Sequence, residues 1–369
     1  MGEVLVTQAV TSGAWDEHSA IEQIRMGVEY WEKGDEDATR LRPQIGETIV
    51  LSSDQINARQ AFPYESVRSL TRRGMLEAAS DIAATGAAFL GVQIDVRAPD
   101  LFVDDDFRAL GLGIRDALGV LGGGELLQAS NLSRGEFGIS FTVVGISDCE
   151  PLSRRGALPG DQVYASGPLG GWDAALMILN SGQADEVASE NWEIVCRRFL
   201  DYRPEMDFGR HLLSQRLATA CIDANDRVTK TLEDLARASQ VGIIIDSDRL
   251  PVDPLCHLAH RMTGRPALET VLNGVSGDDR LIFTAPPEHD ERVRELFSRL
   301  GRPTHAIGEV ARSDDPGVTY LGEIGDSISR YMRPVEIYSE KFGSSRDLVC
   351  SEFPHGGCRF GTSAAEEDR

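Results

Sequence analysis

Residues 80–87 read Ser-Asp-Ile-Ala-Ala-Thr-Gly-Ala, so one carboxylate, Asp81, lies within a run of small apolar residues. The surrounding segment, 63–86, begins with proline, ends with glycine and has apolar residues at helical spacing. This pattern predicts an amphipathic helix with Asp81 on its apolar side. A buried charge requires a partner. The sequence leaves open whether Asp81 binds a divalent cation, pairs with Arg72 or Arg73, or caps the helix.

Strands and helices alternate on both sides of this helix, which predicts an α/β (α+β) fold of two layers. The predicted strands include 47–53, 89–96, 136–146, 161–166, 241–246, 281–284 and 305–310, and the predicted helices 103–120, 171–180, 208–219, 228–239 and 288–300. A turn rich in glycine and proline at 154–160 indicates a domain boundary. We therefore expect four segments: an N-terminal extension (1–19), a first domain (20–150), a second domain (151–315) and a divergent C-terminal segment with a tail (316–369).

The composition excludes several classes of function. The chain has 369 residues and a formal net charge of −22, which argues against nucleic acid or an anionic membrane surface as the main partner. Its sequence shows neither a run of about 18 apolar residues nor a secretory signal, so we expect a cytoplasmic protein without a membrane partner. The lysines are Lys33, Lys230 and Lys341. None of them lies in a phosphate-binding Gly-Lys-Ser/Thr loop, and the protein-kinase lysine motif is absent as well.

Further carboxylates lie close to the ends of predicted elements. Asp37 precedes the first predicted strand, Asp54 ends it within Leu-Ser-Ser-Asp, and Glu125 follows three consecutive glycines. Asp223 and Asp226 follow an apolar strand within Ala-Cys-Ile-Asp-Ala-Asn-Asp. Glycines allow backbone N–H groups to approach a phosphate, and carboxylates suit Mg²⁺.

Taken in this order, the motifs resemble the AIR-synthetase (PurM-like) superfamily, and within it most closely the thiamine-monophosphate kinase family. That family reads Gly-Asp-Asp-Ala-Ala, Ser-Thr-Asp, Ser-Asp-Leu-Ala-Ala-Met-Gly-Ala, Gly-Gly-Asp-Thr and Arg-Ser-Gly-Ala-Lys-Pro-Gly-Asp. The corresponding motifs of this chain are Asp-Glu-Asp-Ala, Ser-Ser-Asp, Ser-Asp-Ile-Ala-Ala-Thr-Gly-Ala, Gly-Gly-Glu and Arg-Arg-Gly-Ala-Leu-Pro-Gly-Asp. The resemblance covers about residues 20 to 312. It implies an N-terminal sheet domain that pairs with a second subunit, a C-terminal α/β domain, and ATP with several Mg²⁺ ions in the cleft.

The resemblance also implies roles for individual residues. The residues that resemble the metal ligands are Asp37, Asp54, Asp81, Glu125, Asp223 and Asp226. Those that resemble ATP contacts are Gly124, Glu125, Arg154 and Asn225, and Asp223 and Asp226 are the candidate catalytic residues. Glu125 replaces the family's aspartate with a longer side chain, so the position of its carboxylate differs.

The motifs near the acceptor differ more strongly from the family. The family's Gly-Val-His-Phe reads Arg-Gln-Ala-Phe over 59–62, so Arg59 replaces its glycine and Ala61 its histidine. Its Gly-Gly-Glu-Asp-Tyr-Glu-Leu is shortened to Ser-Gly-Asp-Asp-Arg-Leu over 276–281, which leaves open whether Asp278 or Asp279 matches the family's acid. The candidate substrate residues are Arg59, Ala61, Arg227, Asp278 and Arg280. The added arginines suit a carboxylate or phosphate.

The first prediction is therefore an ATP- and Mg²⁺-dependent phosphotransferase that acts on a small anionic metabolite other than thiamine phosphate, as a homodimer through about residues 45–145. An alternative is an enzyme of the AIR-synthetase type, which activates an amide or carboxylate oxygen as a phosphate for C–N bond formation or dehydration. A second alternative is a non-catalytic relative that binds a nucleotide.

Overall fold

The computed structural model describes residues 39–41, 47–62, 65–100, 102, 104–181, 187, 189–274 and 278–322, all of which belong to one compact unit. The elements of the first half are β1 (Thr39–Leu41), β2 (Thr48–Asn57), α1 (Val67–Thr85), β3 (Ala88–Ala98), α2 (Asp104–Val120), β4 (Glu125–Arg134) and β5 (Gly138–Ser147). Those of the second half are β6 (Gln162–Ala165), α3 (Gly171–Asn180), α4 (Ser189–Leu200), α5 (Met206–Ser214), β7 (Ala220–Asp223), α6 (Val228–Ser239), β8 (Gly242–Asp246), α7 (Pro254–Thr263), α8 (Ala267–Asn273), β9 (Leu281–Ala285), α9 (Asp290–Arg299), β10 (His305–Ala311) and β11 (Gly317–Leu321).

The first sheet has the strand order β1-β2-β5-β3-β4, and α1 packs on one face of it. β2 and β5 pair antiparallel over their full length, from Thr48 opposite Ser147 to Asn57 opposite Gly138. The prediction that this strand ends at Asp54 was therefore wrong. Pairing with β5 supplies hydrogen-bond partners for the polar stretch beyond Asp54, so the strand continues through it.

The sequence reasoning missed β4, which runs parallel to β3 at one end of the described sheet. Its residues, Glu-Leu-Leu-Gln-Ala-Ser-Asn-Leu-Ser-Arg, do not alternate between apolar and polar, so they give no strand signal. Leu126, Leu127 and Leu132 expose 44, 47 and 62% of their surface. The homodimer through this domain stays a prediction.

The second sheet has the order β11-β8-β10-β6-β9-β7, and β8 and β11 pair in parallel while the other neighbours are antiparallel. The predicted helices over 171–180 and 228–239 agree with α3 and α6. The helix predicted over 208–219 instead ends at Ser214, because Arg216 adopts a left-handed backbone with φ 50°. The structure thus has the predicted mixed α/β class, with a second sheet that begins after the predicted boundary near residue 150.

Helix α1 joins the two halves. It begins at a capping box formed by Ser66 and Ser69, and it ends at Gly86, whose φ of 71° suits a left-handed C-terminal residue. It packs on β2 and β5 from its own half and on α5 and β7 from the other. One apolar core consequently contains residues of both halves, such as Leu76 of α1 and Ile222 of β7.

None of the helices in the described part of the chain is both long enough and apolar enough to span a bilayer.

The contact between α1 and α5 depends on a glycine. A β-carbon placed on Gly209 of α5 would lie 1.9 Å from the carbonyl oxygen of Ala83 in α1. Backbone atoms cannot move aside as the end of a flexible side chain can, so the helices would have to separate.

We expect Gly209→Ala to lower the free energy of unfolding by about 1–3 kcal/mol, as for other overpacked sites. Gly111→Ala in α2 is the matched control, because a β-carbon there meets no atom within 4 Å. The control should gain about 0.5–1 kcal/mol from helix propensity. Urea unfolding measures both changes, and equal stability of the two variants would contradict the close approach.

Candidate active site

Asp81 lies one turn before the end of α1 and faces β2. Its Oδ2 accepts a hydrogen bond from the Ser52 hydroxyl of β2. Asp54 follows Ser52 by two residues, so both side chains project from the same face of the strand. Among the described residues, Arg72 pairs with Asp201 and Arg73 pairs with Glu65 and Glu77, and neither is placed to neutralise Asp81. The alternative that Asp81 pairs with Arg72 or Arg73 was therefore wrong.

Strand β7 brings a second carboxylate to α1 from the other half of the chain. All four residues of β7, Ala220–Asp223, are buried, and Asp223 exposes 5% of its surface. The backbone N–H of Cys221 donates to the carbonyl of Ser153 at 2.8 Å, which holds the loop before β6 against β7. Asp226 lies three residues further on, and its side chain is 58% exposed.

The carboxylates repel one another. Burial raises the pKa of Asp81 well above its usual range, and the charge of Asp223 raises it further. The hydroxyl of Ser52 acts in the opposite direction, while Asp54 and Asp226 add to the increase. Burial likewise raises the pKa of Asp223, which the hydroxyl of Ser80 and the charge of Arg154 partly offset. The cluster formed by Asp54, Asp81, Asp223 and Asp226, hereafter the acid cluster, therefore concentrates negative charge, and repulsion between its members favours the binding of a cation.

The acid cluster fits a divalent cation in its chemistry. Within the described ranges, Oδ2 of Asp223 is buried and has no hydrogen-bond partner. Oxygen ligands of this kind suit Mg²⁺. No three His, Cys, Asp or Glu side chains of the described residues are already close enough together to hold one ion. Asp37, the remaining predicted ligand of the first half, lies outside the described residues.

Two of the predicted nucleotide contacts lie beside the acid cluster. Arg154 is near enough to Asp223 for its charge to lower that residue's pKa, and its carbonyl accepts a hydrogen bond from Ser239 at 2.8 Å. Asn225 lies between Asp223 and Asp226, and its Oδ1 accepts a hydrogen bond from the Tyr202 hydroxyl at 3.1 Å. This bond orients the Asn225 amide.

The glycine run before β4 lies away from the acid cluster. Gly122, Gly123 and Gly124 have φ values of 80, 130 and 102°, which a side chain would disfavour. Glu125 is exposed and pairs with Gly91, on the far side of β3 and β5 from β2. Three strand spacings separate it from β2, about 14 Å. Within a single chain, Glu125 therefore does not lie at the acid cluster. Its predicted metal contact stays a prediction.

The candidate substrate residues are dispersed. Arg59 pairs with Glu136 at 3.1 Å and its side chain is 79% exposed, whereas Ala61 is buried. Arg227 directly precedes α6, within the same loop as Asp226.

Asp278 and Arg280 have structural partners. Asp278 accepts hydrogen bonds from the N–H groups of Gly170 and Trp172 at the start of α3 and pairs with Arg198 at 2.7 Å. Arg280 pairs with the buried Glu205. These contacts commit both side chains to the fold, which argues against the predicted substrate role of either one.

Sequence reasoning missed Tyr202 and left open whether Asp279 or Asp278 matches the family's acid. Asp279 is fully buried, has a φ of 50°, and neither of its carboxylate oxygens has a hydrogen-bond partner in the described part of the chain. Burial raises its pKa well above the usual range; Tyr202 opposes the increase, and the charges of Asp223 and Glu77 add to it. Of the two adjacent acids, Asp279 is thus the one that interacts with the acid cluster. The pair Asp278-Asp279 was the only signal in the sequence, and it did not separate the two.

Residues 159–321 match the family model of the C-terminal domain of AIR synthase related proteins. The structure of AaThiL complexed with AMPPCP and TMP superposes with a TM-score of 0.71 and 22% sequence identity, over 82% of this chain and 93% of that one. The hydrogenase maturation protein HypE of E. coli superposes with a TM-score of 0.59 and 19% identity, over 84% of this chain and 96% of that one. The fold is that of the AIR-synthetase (PurM-like) superfamily.

The thiamine-monophosphate kinase of Halobacterium salinarum is 31% identical over 306 residues, which are 81% of this chain and 96% of the relative. The enzyme of that name from Salmonella typhimurium is 27% identical over 297 residues, or 78% and 86% of the two chains. The chain belongs to the thiamine-monophosphate kinase family. It is accordingly an ATP-dependent enzyme of the kinase type, as the sequence motifs predicted.

The raised pKa of Asp81 gives the metal-free protein a pH dependence of known sign. A carboxyl whose pKa is higher in the folded than in the unfolded state destabilises the protein as pH rises from the unfolded to the folded pKa. We expect Asp81→Asn to reduce the loss of stability between pH 5 and pH 8, since the asparagine has no charge to bury as the pH rises. The asparagine retains an oxygen that can accept from Ser52.

Urea unfolding in EDTA at the two pH values measures this difference. Asp207→Asn is the control, because Asp207 is an exposed acid on α5 with a side chain that is 85% exposed. If Asp81→Asn and Asp207→Asn show the same pH dependence as the unmodified protein, Asp81 does not carry the charge repulsion described above.

Proposed function

We propose that the protein is an ATP- and Mg²⁺-dependent phosphotransferase whose acceptor is a small anionic molecule other than thiamine monophosphate. The acid cluster carries the proposal, because carboxylates from α1 and β2 of one half meet carboxylates from the end of β7 and the loop after it. Transfer of a phosphoryl group requires positioning and charge neutralisation more than a covalent catalyst.

Different residues of the chain would supply the positioning and the charge neutralisation. Asp54, Asp81, Asp223 and Asp226 would hold Mg²⁺, which supplies positive charge to the phosphates when bound. Arg154 adds a fixed guanidinium beside Asp223, and such a group binds phosphate oxygens well. Tyr202 fixes the amide of Asn225 at the nucleotide side of the cluster. Asp223 and Asp226 are the proposed catalytic residues.

The names of the relatives support the reaction type. The curated relatives are thiamine-monophosphate kinases, and the related structure contains AMPPCP together with TMP. A nucleotide and an acceptor thus bind to one protein of this fold. We propose that this chain also binds a nucleotide and catalyses the same type of reaction.

The acceptor is proposed to differ because of residues 59–62. Ala61 stands where the family has histidine, and its methyl group, 5% exposed, offers no hydrogen bond. Phe62 packs edge-on against Trp172 and Phe199, with ring centroids 5.2 and 5.5 Å apart. The guanidinium of Arg73 lies 5.0 Å from the Phe62 ring centroid. The segment is therefore part of a packed aromatic cluster, and a polar contact of the family is missing.

Dimerisation through the first sheet is part of the proposal. The exposed leucines of β4 would be covered by a second subunit, and edge strands with exposed apolar side chains otherwise favour aggregation. The distance from Glu125 to the acid cluster of its own chain is consistent with a role for this residue toward a partner.

We expect ATP binding to depend on a divalent ion, because the triphosphate and the acid cluster repel each other without one. Isothermal calorimetry with Mg²⁺ and with EDTA tests this directly. Asp223→Asn should reduce the gain in ATP affinity that Mg²⁺ gives, whereas the control Asp207→Asn should retain it. Equal ATP affinity in Mg²⁺ and in EDTA would contradict the metal assignment.

We expect thiamine monophosphate to be a poor acceptor, since loss of one hydrogen bond at a buried site costs about 1–3 kcal/mol. ³¹P NMR of the protein with ATP, Mg²⁺ and millimolar thiamine monophosphate measures turnover and product together. Turnover of about 1 per second or more would contradict a different acceptor. The same spectra, recorded with other anionic acceptors, test the reaction type. A new phosphorylated product supports a phosphotransferase, whereas inorganic phosphate with a C–N bond or dehydration product supports the AIR-synthetase type.

A further inference from the structure

Lys230 lies at the acid cluster. Its Nζ contacts Oδ2 of Asp226 and lies 3.2 Å from Oδ2 of Asp234, and 28% of the side chain is exposed. Lysine is protonated at neutral pH, and its contacts with the two carboxylates stabilise the charged form. The ammonium is therefore positively charged and bound directly to a carboxylate of the proposed catalytic site.

The position is unfavourable for a cation in two respects. Lys230 is the third residue of α6, and the N-terminus of a helix carries partial positive charge, which disfavours lysine. Arg227, the residue immediately before α6, adds a second positive charge to the same turn. The adjacent carboxylates offset this cost and hold the ammonium next to Asp226. The same helix end and the two basic side chains together favour an anion.

We propose that Lys230 is the resident cation of the Asp226 end of the acid cluster, where its ammonium takes the place of one divalent ion and binds a phosphate oxygen of ATP. The inference rests on the proposed function, because it requires that ATP binds at the acid cluster. It goes beyond that function by assigning part of the phosphate's counter-charge to a side chain. An ammonium has three N–H donors, so it can contact Asp226, Asp234 and a phosphate oxygen at once.

The first test is a titration of the full-length, nucleotide-free protein with Mn²⁺, followed by the electron paramagnetic resonance signal of free Mn²⁺. Lys230→Met removes the charge and retains most of the side-chain volume. We expect it to bind Mn²⁺ about tenfold more tightly than the unmodified protein, because a like charge no longer stands beside the ion. A binding curve identical to that of the unmodified protein would overturn the proposal.

The second test is ATP affinity at two Mn²⁺ concentrations. Lys230→Met should lose about tenfold in ATP affinity at limiting Mn²⁺, the value of one charge-assisted hydrogen bond. Excess Mn²⁺ should restore it, because an ion then binds Asp226 where the ammonium was. A loss that excess Mn²⁺ does not restore, or no loss at all, would overturn the proposal.

Two variants serve as controls. Lys230→Arg keeps the positive charge and should resemble the unmodified protein in the Mn²⁺ titration. Arg237→Met removes a charge from the same helix, since Arg237 pairs with Asp234 at 3.0 Å but not with Asp226. It should leave both measurements unchanged. If the unmodified protein binds ATP with Mn²⁺ and Lys230→Met behaves like it in both measurements, the inference fails and the proposed function stands. If the unmodified protein binds neither, the proposed function fails with it.

Discussion

The repulsion between Asp81 and Asp223 is the constraint on which the arrangement of the site depends. The charge of Asp223 raises the pKa of Asp81, and the two carboxylates come from different halves of the chain. The halves would separate if this repulsion acted alone. The apolar packing of α1 against β2, α5 and β7 opposes it, so the burial of one helix supplies the free energy that brings like charges together. The site is thus a charged region maintained by an uncharged core.

The remaining polar groups moderate that repulsion at particular positions. The Ser52 hydroxyl donates to Asp81, and Arg154 acts on Asp223 from the loop before β6. Lys230 neutralises Asp226 at the exposed end. This graded compensation explains how a chain with a net charge of −22 can bind a nucleotide without a phosphate-binding loop lysine. The negative charge is greatest where burial is deepest, and a small divalent ion suits that place better than a long side chain does.

Much of this arrangement could be predicted from the sequence, for definite physical reasons. Helix α1 was predicted because its apolar spacing and its terminal glycine are local signals, and the acids followed from the family motifs. Strand β4 was missed because its residues do not alternate between apolar and polar, so they give no local strand signal. Asp278 and Asp279 could not be told apart, since their difference lies in the folded backbone: one caps α3 and the other is buried with its φ at 50°. Glu205, which holds Arg280, lies 75 residues away in the sequence, and no local pattern reports such a pair.

Gly209 has a consequence for motion in this molecule. The backbones of α5 and α1 are in direct contact at Ala83, only two residues from Asp81. Helices that touch backbone to backbone cannot slide along one another without collision, so shear between the halves is blocked at this point. Movement of loops around a ligand would leave this contact intact, whereas sliding of one half along the other would break it. Asp81 and Asp223 lie on two elements, α1 and β7, that this packing holds together, so their relative position is set when the protein folds and not when a ligand binds.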